Sequence, residues 1–388
     1  MFSRRVPDDR TPNRLAQAAA AALSRGPLVD LTLSNPTLAG LSYPPDLLRQ
    51  LSDAAALTYR PEPLGLRSAR EAVSATYFRR GLRVGPDRIV LTASTSEAYS
   101  VLFKLLCEPA RSSVLTPVPS YPLFDHLTRL DGVGMRRYAL DYQGVWSLRA
   151  GELGRAWSAD TRAVLAVSPN NPTGSIVREP DAAELINACA ARSAALIVDE
   201  VFWEYPLEDP LPEPASFSGP PCLLFRLGGL SKSAGLPQVK LGWIAVDGPS
   251  SLVADALDRL ELICDSYLSV STSVQVAAPE LIERGRDIRD QIAARVRGNY
   301  QTLRERIDRA PGVTALRAEG GWSAVLRVPA TATEEQLALD LLGRHAVVVH
   351  PGYFFDFPHE AFLIVSLLPA IDTFVRGIDA ILEYVRAA

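Results

Sequence analysis

The chain has 388 residues, a hydrophobic fraction of 47% and a formal net charge of -4 at pH 7. That length is enough for two domains with separate cores, and so weak a charge balance gives no electrostatic reason to expect nucleic acid or an anionic membrane as partner. No stretch approaches the roughly 20 consecutive apolar residues that a membrane helix needs.

Near the N-terminus, Arg4-Arg5 precedes an Ala-rich run at 15–23, with Asp8, Asp9 and Pro12 in between and Ser24-Arg25-Gly26-Pro27 after it. A signal peptide requires a more apolar core directly behind its basic residues, so the pattern is read as a short helix capped by Asn13, and a cytoplasmic location is expected. From 88 onward, short apolar runs at 88–92, 113–116, 163–167, 195–198 and 223–227 read as strands, with helical patterns such as 96–107 and 181–192 between most of them. Strand and helix in alternation predict a largely parallel sheet covered on both faces. The run at 238–246 comes so soon afterwards that an antiparallel addition is expected.

Beyond about 250 the pattern changes. Residues 250–264 look helical, and 279–307 carry a long amphipathic pattern rich in Arg and Asp. Strands are expected at 322–328 and 346–350 with a helix at 334–342 between them, then an apolar run at 361–368 before a last helix. The predicted fold is α/β: a large domain with a mostly parallel sheet sandwiched by helices, plus a smaller α/β domain. The expected division is 1–42 packing with the small domain, 43–265 as the large domain, and 266–388 as linker helix and small domain. The proline cluster at 206–221 reads as one surface loop. Cys107, Cys189, Cys222 and Cys264 and the four histidines are scattered, which argues for buried reduced thiols and against a metal site.

Four polar landmarks come after the predicted strands, at the end of a parallel sheet where ligands bind. Ser94-Thr95-Ser96 opens a helix, where hydroxyls and free N–H groups attract an anion, although a plain Ser/Thr cap has the same signature. Asn171, in Asn-Pro-Thr-Gly, offers a side-chain amide, although the same tetrapeptide is good turn chemistry. Asp199 ends a buried strand, where a carboxylate can hold a pyridinium nitrogen or equally serve as a cap or loop ion pair. Lys232, beside Ser231, becomes nucleophilic if it is desolvated and is ordinary if it lies on the surface. One cofactor needs an amine, a carboxylate, a hydrogen-bond donor and a phosphate cradle together: pyridoxal 5'-phosphate.

These residues, with others in order, resemble the class I/II aminotransferases of pyridoxal-phosphate fold type I along nearly the whole chain. Tyr59, Gly65-Leu66 and Arg70-Glu71-Ala72, then Pro119-Ser120-Tyr121-Pro122, Asn171 to Gly174, Asp199-Glu200-Val201, Ser231-Lys232 with Gly235-Leu236-Pro237, and Leu241-Gly242-Trp243 carry the likeness. The resemblance implies that 43–265 bind the cofactor, with Lys232 holding it as a Schiff base and shuttling a proton. It further implies Asp199 at the pyridine nitrogen, Asn171 at the phenolic oxygen and Tyr121 stacked on the ring. Ser94, Thr95, Ser96, Ser231 and Lys240 become phosphate candidates. Tyr59 would reach the phosphate of the other subunit, which implies a homodimer with shared active sites, an amino donor and a carbonyl acceptor as substrates.

The departures are specific. Phe202 stands where the family has Tyr, Lys240 where it has a phosphate-binding Arg, and Gly229 where Ser is common. Leu363-Ile364-Val365-Ser366 places Ile364 where the family's Arg grips a substrate α-carboxylate. Arg60, Arg317 and Arg327 are candidate replacements, and Tyr353, Phe354 and Phe355 are candidates for an apolar wall. The missing Arg keeps a second reading in play, a pyridoxal-phosphate lyase, decarboxylase or oxidase, because bond choice depends on substrate orientation. A scaffold without catalysis is a third, opposed by the intact Lys232, Asp199 and Asn171.

Overall fold

A computed structural model describes residues 2–209 and 215–387. In chain order its strands are β1 (Val29–Asp30), β2 (Ile89–Thr92), β3 (Ser113–Val118), β4 (Gly134–Tyr142), β5 (Trp146–Leu148), β6 (Thr161–Val167) and β7 (Ala195–Asp199). Then come β8 (Leu224–Gly229), β9 (Gly242–Asp247), β10 (Thr314–Ala315), β11 (Ser323–Arg327), β12 (Val347–Val348), β13 (His350–Pro351) and β14 (Phe362–Ser366).

Eight strands form one sheet in the order β2-β9-β8-β7-β6-β3-β4-β5. The stretch from β8 to β4 is parallel, whereas β9 runs antiparallel to both its neighbours and β5 antiparallel to β4. The central strands are mostly apolar because both faces are covered, with Thr116, Asp199 and Arg226 as buried polar exceptions. Ala195 and Ile197 of β7 pack into a core with the Thr95–Leu106 and Ser250–Asp265 helices. Leu196 and Val198 pack into another with the Glu152–Ala156 and Glu179–Ala191 helices. This two-residue alternation is the pleat itself, and it fixes which side chains face each helical layer.

A second, antiparallel sheet has the order β10-β11-β14-β13, and β1 pairs in parallel with β12. The Arg14–Leu23 helix, capped by Asn13 accepting from the Ala16 N–H at 2.8 Å, packs on the Glu334–His345 helix. The long helix runs Thr272–Ile307 and starts a turn and a half or more before Pro279. Pro279 therefore lies inside it rather than at its first turn; Ser271 caps the true start, accepting from the Val274 N–H at 3.3 Å.

Two other expectations are corrected. The run at 346–350 is not one strand: β12 pairs with β1 while β13 pairs with β14, so the chain changes sheets at Val349. The proline-rich stretch at 206–221 is partly outside the described residues, and its described parts are anchored rather than free on the surface. Pro206 bridges to Gly320, and Ala215 and Phe217 are buried. All four cysteines are free and buried. Among the described residues no helix is long and apolar enough to cross a membrane.

Candidate active site

β2, β3, β6, β7 and β8 point their C-terminal ends toward one edge of the large sheet, and the residues at or just beyond those ends meet there around a cavity of about 300 Å³. Thr95 and Ser96 come after β2, Tyr121 after β3, Asn171 after β6, and Asp199 is the last residue of β7. Ser231 and Lys232 succeed β8 in the single helical turn Leu230–Ser233. The cavity is closed by the second sheet, through Trp322, Ser323, His350, Phe354, Phe355, Ile364 and Ser366, and by Thr32 and Ser34 of the N-terminal segment.

Close backbone packing shapes the end of the cavity at the Thr95–Leu106 helix. A Cβ on Gly242 would meet the Ser94 carbonyl carbon at 2.8 Å and the Thr95 nitrogen at 3.0 Å, so only glycine lets β9 lie against the start of the Thr95–Leu106 helix. Ser94 itself is occupied by that helix, its Oγ accepting from the Glu97 N–H at 3.1 Å. Thr95 and Ser96 line the cavity at the helix N-terminus.

Asp199 is 7% exposed. Its Oδ1 accepts from the Val201 N–H at 3.0 Å and its Oδ2 from the Tyr99 hydroxyl at 2.9 Å. Burial raises its pKa to about 6, against these two hydrogen bonds, which favour the carboxylate. Lys232 lies 4.5 Å from the Trp322 ring centroid and 5.5 Å from that of Phe202. Desolvation lowers its pKa to about 8 while Asp199 pulls the other way. The Tyr205 hydroxyl donates to the Lys232 carbonyl and fixes the backbone that carries it. Asn171 accepts a long bond from Ser323 Oγ at 3.5 Å, while its neighbour Asn170 is consumed structurally by Ser120, Pro119 and Thr173.

Directly after Asp199, Glu200 points the other way, into a buried pair of guanidiniums: Arg226 at 2.6 Å and Arg80 at 2.8 Å. Burial would raise its pKa, but the two cations outweigh that and hold it below the ordinary range.

Of the predicted site residues, Thr95, Ser96, Tyr121, Asn171, Asp199, Ser231 and Lys232 share the cavity, and Ser94, Lys240 and Tyr59 do not line it. Lys240 is exposed, on left-handed backbone (φ 60°), and Tyr59 is 70% exposed. Ile364 does line it, at 2% exposure, and so do Phe354 and Phe355 but not Tyr353. None of the three candidate arginines reaches it. Arg317 is held bidentate by Glu208 at 2.7 and 2.6 Å, Arg327 is exposed at the end of β11, and Arg60 borders a separate small hollow with Tyr59.

Sequence reasoning missed Tyr99, Trp322, His350, Thr32 and Ser34. Tyr99 sits one helical turn beyond Thr95 and so shares its face, a spacing that pointed to it; the others arrive from distant segments with no local signal.

The model of the family described as aminotransferase class I and II matches residues 27–373. The alanine aminotransferase of Mycobacterium tuberculosis (strain ATCC 25618 / H37Rv) is 25% identical over 353 residues, 88% of this chain and 82% of its own length. The glutamate-pyruvate aminotransferase AlaA of Escherichia coli (strain K12) is 23% identical over 356 residues, 89% of this chain and 87% of its own. Among solved structures, an alanine aminotransferase from Pyrococcus furiosus superposes with a TM-score of 0.90 at 19% identity, with all of both chains covered. A Thermus thermophilus aspartate aminotransferase double mutant gives 0.84 at 22%, over 99% of each. At such identities these two likenesses speak to the fold.

Proposed function

We propose, since the chain belongs to the class I and II aminotransferases, that the cavity around Lys232 is where it moves an amino group from an amino donor to a carbonyl acceptor. The observation that carries this reading is the meeting, in one cavity, of a desolvated amine, a buried strand-end carboxylate, a carboxamide and hydroxyls at a helix N-terminus. The family uses pyridoxal phosphate, and the residues present fit that group. Lys232 suits its aldehyde carbon, Asp199 its pyridine nitrogen, Asn171 its phenolic oxygen, Tyr121 its ring face, and Thr95, Ser96 and Ser231 its phosphate. When bound, pyridoxal phosphate supplies an exchangeable carbonyl and an electron-withdrawing ring.

The chain's own groups do the rest. With a pKa near 8, Lys232 is about half neutral at that pH, and the neutral Nζ is the form that attacks carbon and accepts a proton from the donor's nitrogen-bearing carbon. The same Nζ, once protonated, returns that proton on the other side of the exchange. Asp199, mostly ionised at pH 7, offers a carboxylate to a ring N–H, with Tyr99 and the Val201 N–H keeping its oxygens in place. Phe202 carries no hydroxyl, so Asn171 is left as the side-chain donor to a phenolic oxygen. Trp322 and Phe202 shield Lys232 from water.

The same reading extends to a homodimer with shared sites, in which Tyr59 serves the partner subunit's phosphate and Lys240 and Ser94 act at the margin of the phosphate site. The exposed Leu57 and Tyr59, at 89% and 70%, support a surface covered by a second copy. The large sheet, confined to 89–247, and the small one, confined to 314–366, support the division at 42 and 265. A cytoplasmic location belongs to this reading as well. Lys232→Ala should remove the visible absorbance of the bound cofactor and slow amino transfer by at least ~10⁴-fold; full activity in that variant overturns the assignment.

A further inference from the structure

Resting on that aminotransferase reading, the walls beyond Lys232 define the class of substrate. Among the described lining residues only Asp199 and Lys232 are formally charged, and both are committed to the cofactor. The face opposite is apolar: Trp322, Phe202, Phe354, Phe355 and Ile364. Ile364 is no accident of a loop. It sits in the middle of β14, in register with Val325 on one side and His350 on the other, and packs with Leu316, Val325 and Phe355.

Among the described residues, none that lines the cavity replaces a guanidinium. Arg317 is saturated by Glu208, Arg327 lies at the exposed end of β11, and Arg60 borders another hollow. His350 faces the cavity between the Phe354 and Phe355 rings, and burial lowers its pKa despite Asp30, so at neutral pH it is uncharged. The Ser366 hydroxyl is already engaged, donating to the Leu33 carbonyl at 2.5 Å and accepting from the Leu368 N–H at 3.1 Å. A carboxylate beside the reacting carbon would be stripped of water against indole and isoleucine with no cation to meet it.

We propose that the cavity is built for a primary amine, and the aldehyde or ketone it interconverts with, whose reacting carbon carries an apolar or aromatic group and no carboxylate. The uncharged polar groups of the lining, His350 and Ser323 among them, suit a neutral hydroxyl better than a carboxylate, so 1,2-amino alcohols fall within the class. The exchange balances without an external oxidant: R–CH(NH₂)–R' and R''–CO–R''' become R–CO–R' and R''–CH(NH₂)–R'''. The donor carbon loses its C–H and C–N bonds, gains C=O and is oxidised by two electrons. The acceptor carbon is reduced by the same two, and the proton travels through Lys232. The acceptor that completes the cycle belongs to the same class, an aldehyde or ketone without a carboxylate beside its carbonyl.

The test compares matched pairs on the holoenzyme by the rate at which each donor bleaches the cofactor's visible band: phenylalaninol against phenylalanine, leucinol against leucine. A second readout needs no turnover, the binding of 3-phenylpropanol against 3-phenylpropanoate measured by calorimetry. The neutral member of each pair should be favoured about tenfold to a hundredfold, the worth of one charge-assisted pair missing from the site. Ile364→Arg should reverse the order, and if that variant does not fold, the wild-type binding pair decides alone. Faster bleaching by the amino acids, with tighter binding of the acid, overturns the inference while leaving amino transfer intact. If Arg60→Ala then removes that preference, the carboxylate is held by Arg60, and the inference is overturned by that route. A band that no amine and no amino acid bleaches overturns the aminotransferase reading itself, and the inference falls with it.

Discussion

Asp199→Asn should stabilise the cofactor-free protein above pH 6 and weaken it once cofactor is bound. Asp199 carries its proton up to about pH 6 in the folded chain, against 3.8 for a solvated carboxyl, and burial is the main cause. The folded state therefore holds more protons than the unfolded one between pH 3.8 and 6, and stability falls as pH rises through that window. The difference corresponds to ~3 kcal/mol lost by pH 7, at 1.36 kcal/mol per pH unit. Asparagine has the same shape and no charge. Its Oδ1 can keep the Val201 N–H, and its Nδ2 can donate to the Tyr99 hydroxyl if that hydroxyl turns, so the desolvation cost disappears while the hydrogen bonds survive. Urea midpoints of the two apoproteins should coincide near pH 4 and separate in favour of the variant by ~1–3 kcal/mol at pH 7.5. With pyridoxal phosphate bound the order should invert, because a protonated ring nitrogen would then face an amide instead of an anion. An apo variant less stable than wild type at pH 7.5 would refute the reasoning, since burial of the charge could not then be the dominant effect at Asp199.

Two other substitutions probe the groups behind the site. Tyr99→Phe deletes the 2.9 Å bond to Asp199, a bond to a charged group worth ~1.5–3 kcal/mol, so kcat should fall about tenfold to a hundredfold. The acidic limb of the kcat/KM profile should also move to higher pH, because the hydroxyl favours the ionised carboxylate; an unmoved limb would show that Tyr99 only fills space. Arg226→Met removes one of the two cations around Glu200 in a pair whose members are each 3% exposed, and should cost ~3–5 kcal/mol by urea denaturation. Replacing Glu200 with Leu in the same background should recover much of that, which a loss due to packing alone would not allow.

The central strands were legible because both of their faces are buried. A run such as Ala195-Leu196-Ile197-Val198 has no other stable setting, and the polar residue that ends it had to lie at the sheet's edge. β4 escaped because it is covered less completely and carries Arg136 and Arg137, which blur the apolar signal. The amphipathic pattern at 279–307 marks most of the long helix but not its start, which capping by Ser271 sets seven residues earlier. On the site, the groups at the ends of the large sheet come after strands and carry local signatures. The opposite wall of the cavity does not: Trp322, His350 and Ile364 come together only through pairing of β11, β13 and β14, which no short-range pattern encodes. Ile364 was visible as a departure from the family, but that no arginine among the described residues compensates for it is a statement about space.

Thr32 and Ser34 form part of the cavity wall, yet the segment that carries them is pinned by residues from the far end of the chain. Leu31 donates to the Val348 carbonyl and accepts from the Ser366 N–H, and the Leu33 carbonyl accepts from the Ser366 hydroxyl, 333 positions away. During vectorial synthesis this first-made strip must wait, unpaired, until almost the last residues emerge. The large sheet, complete by 247, can form long before that moment. Closure of the cavity is thus a late event in the life of each molecule, set by pairing of this early segment with β14, and a ribosome stalled before 366 carries a chain with most of its fold and an open cavity.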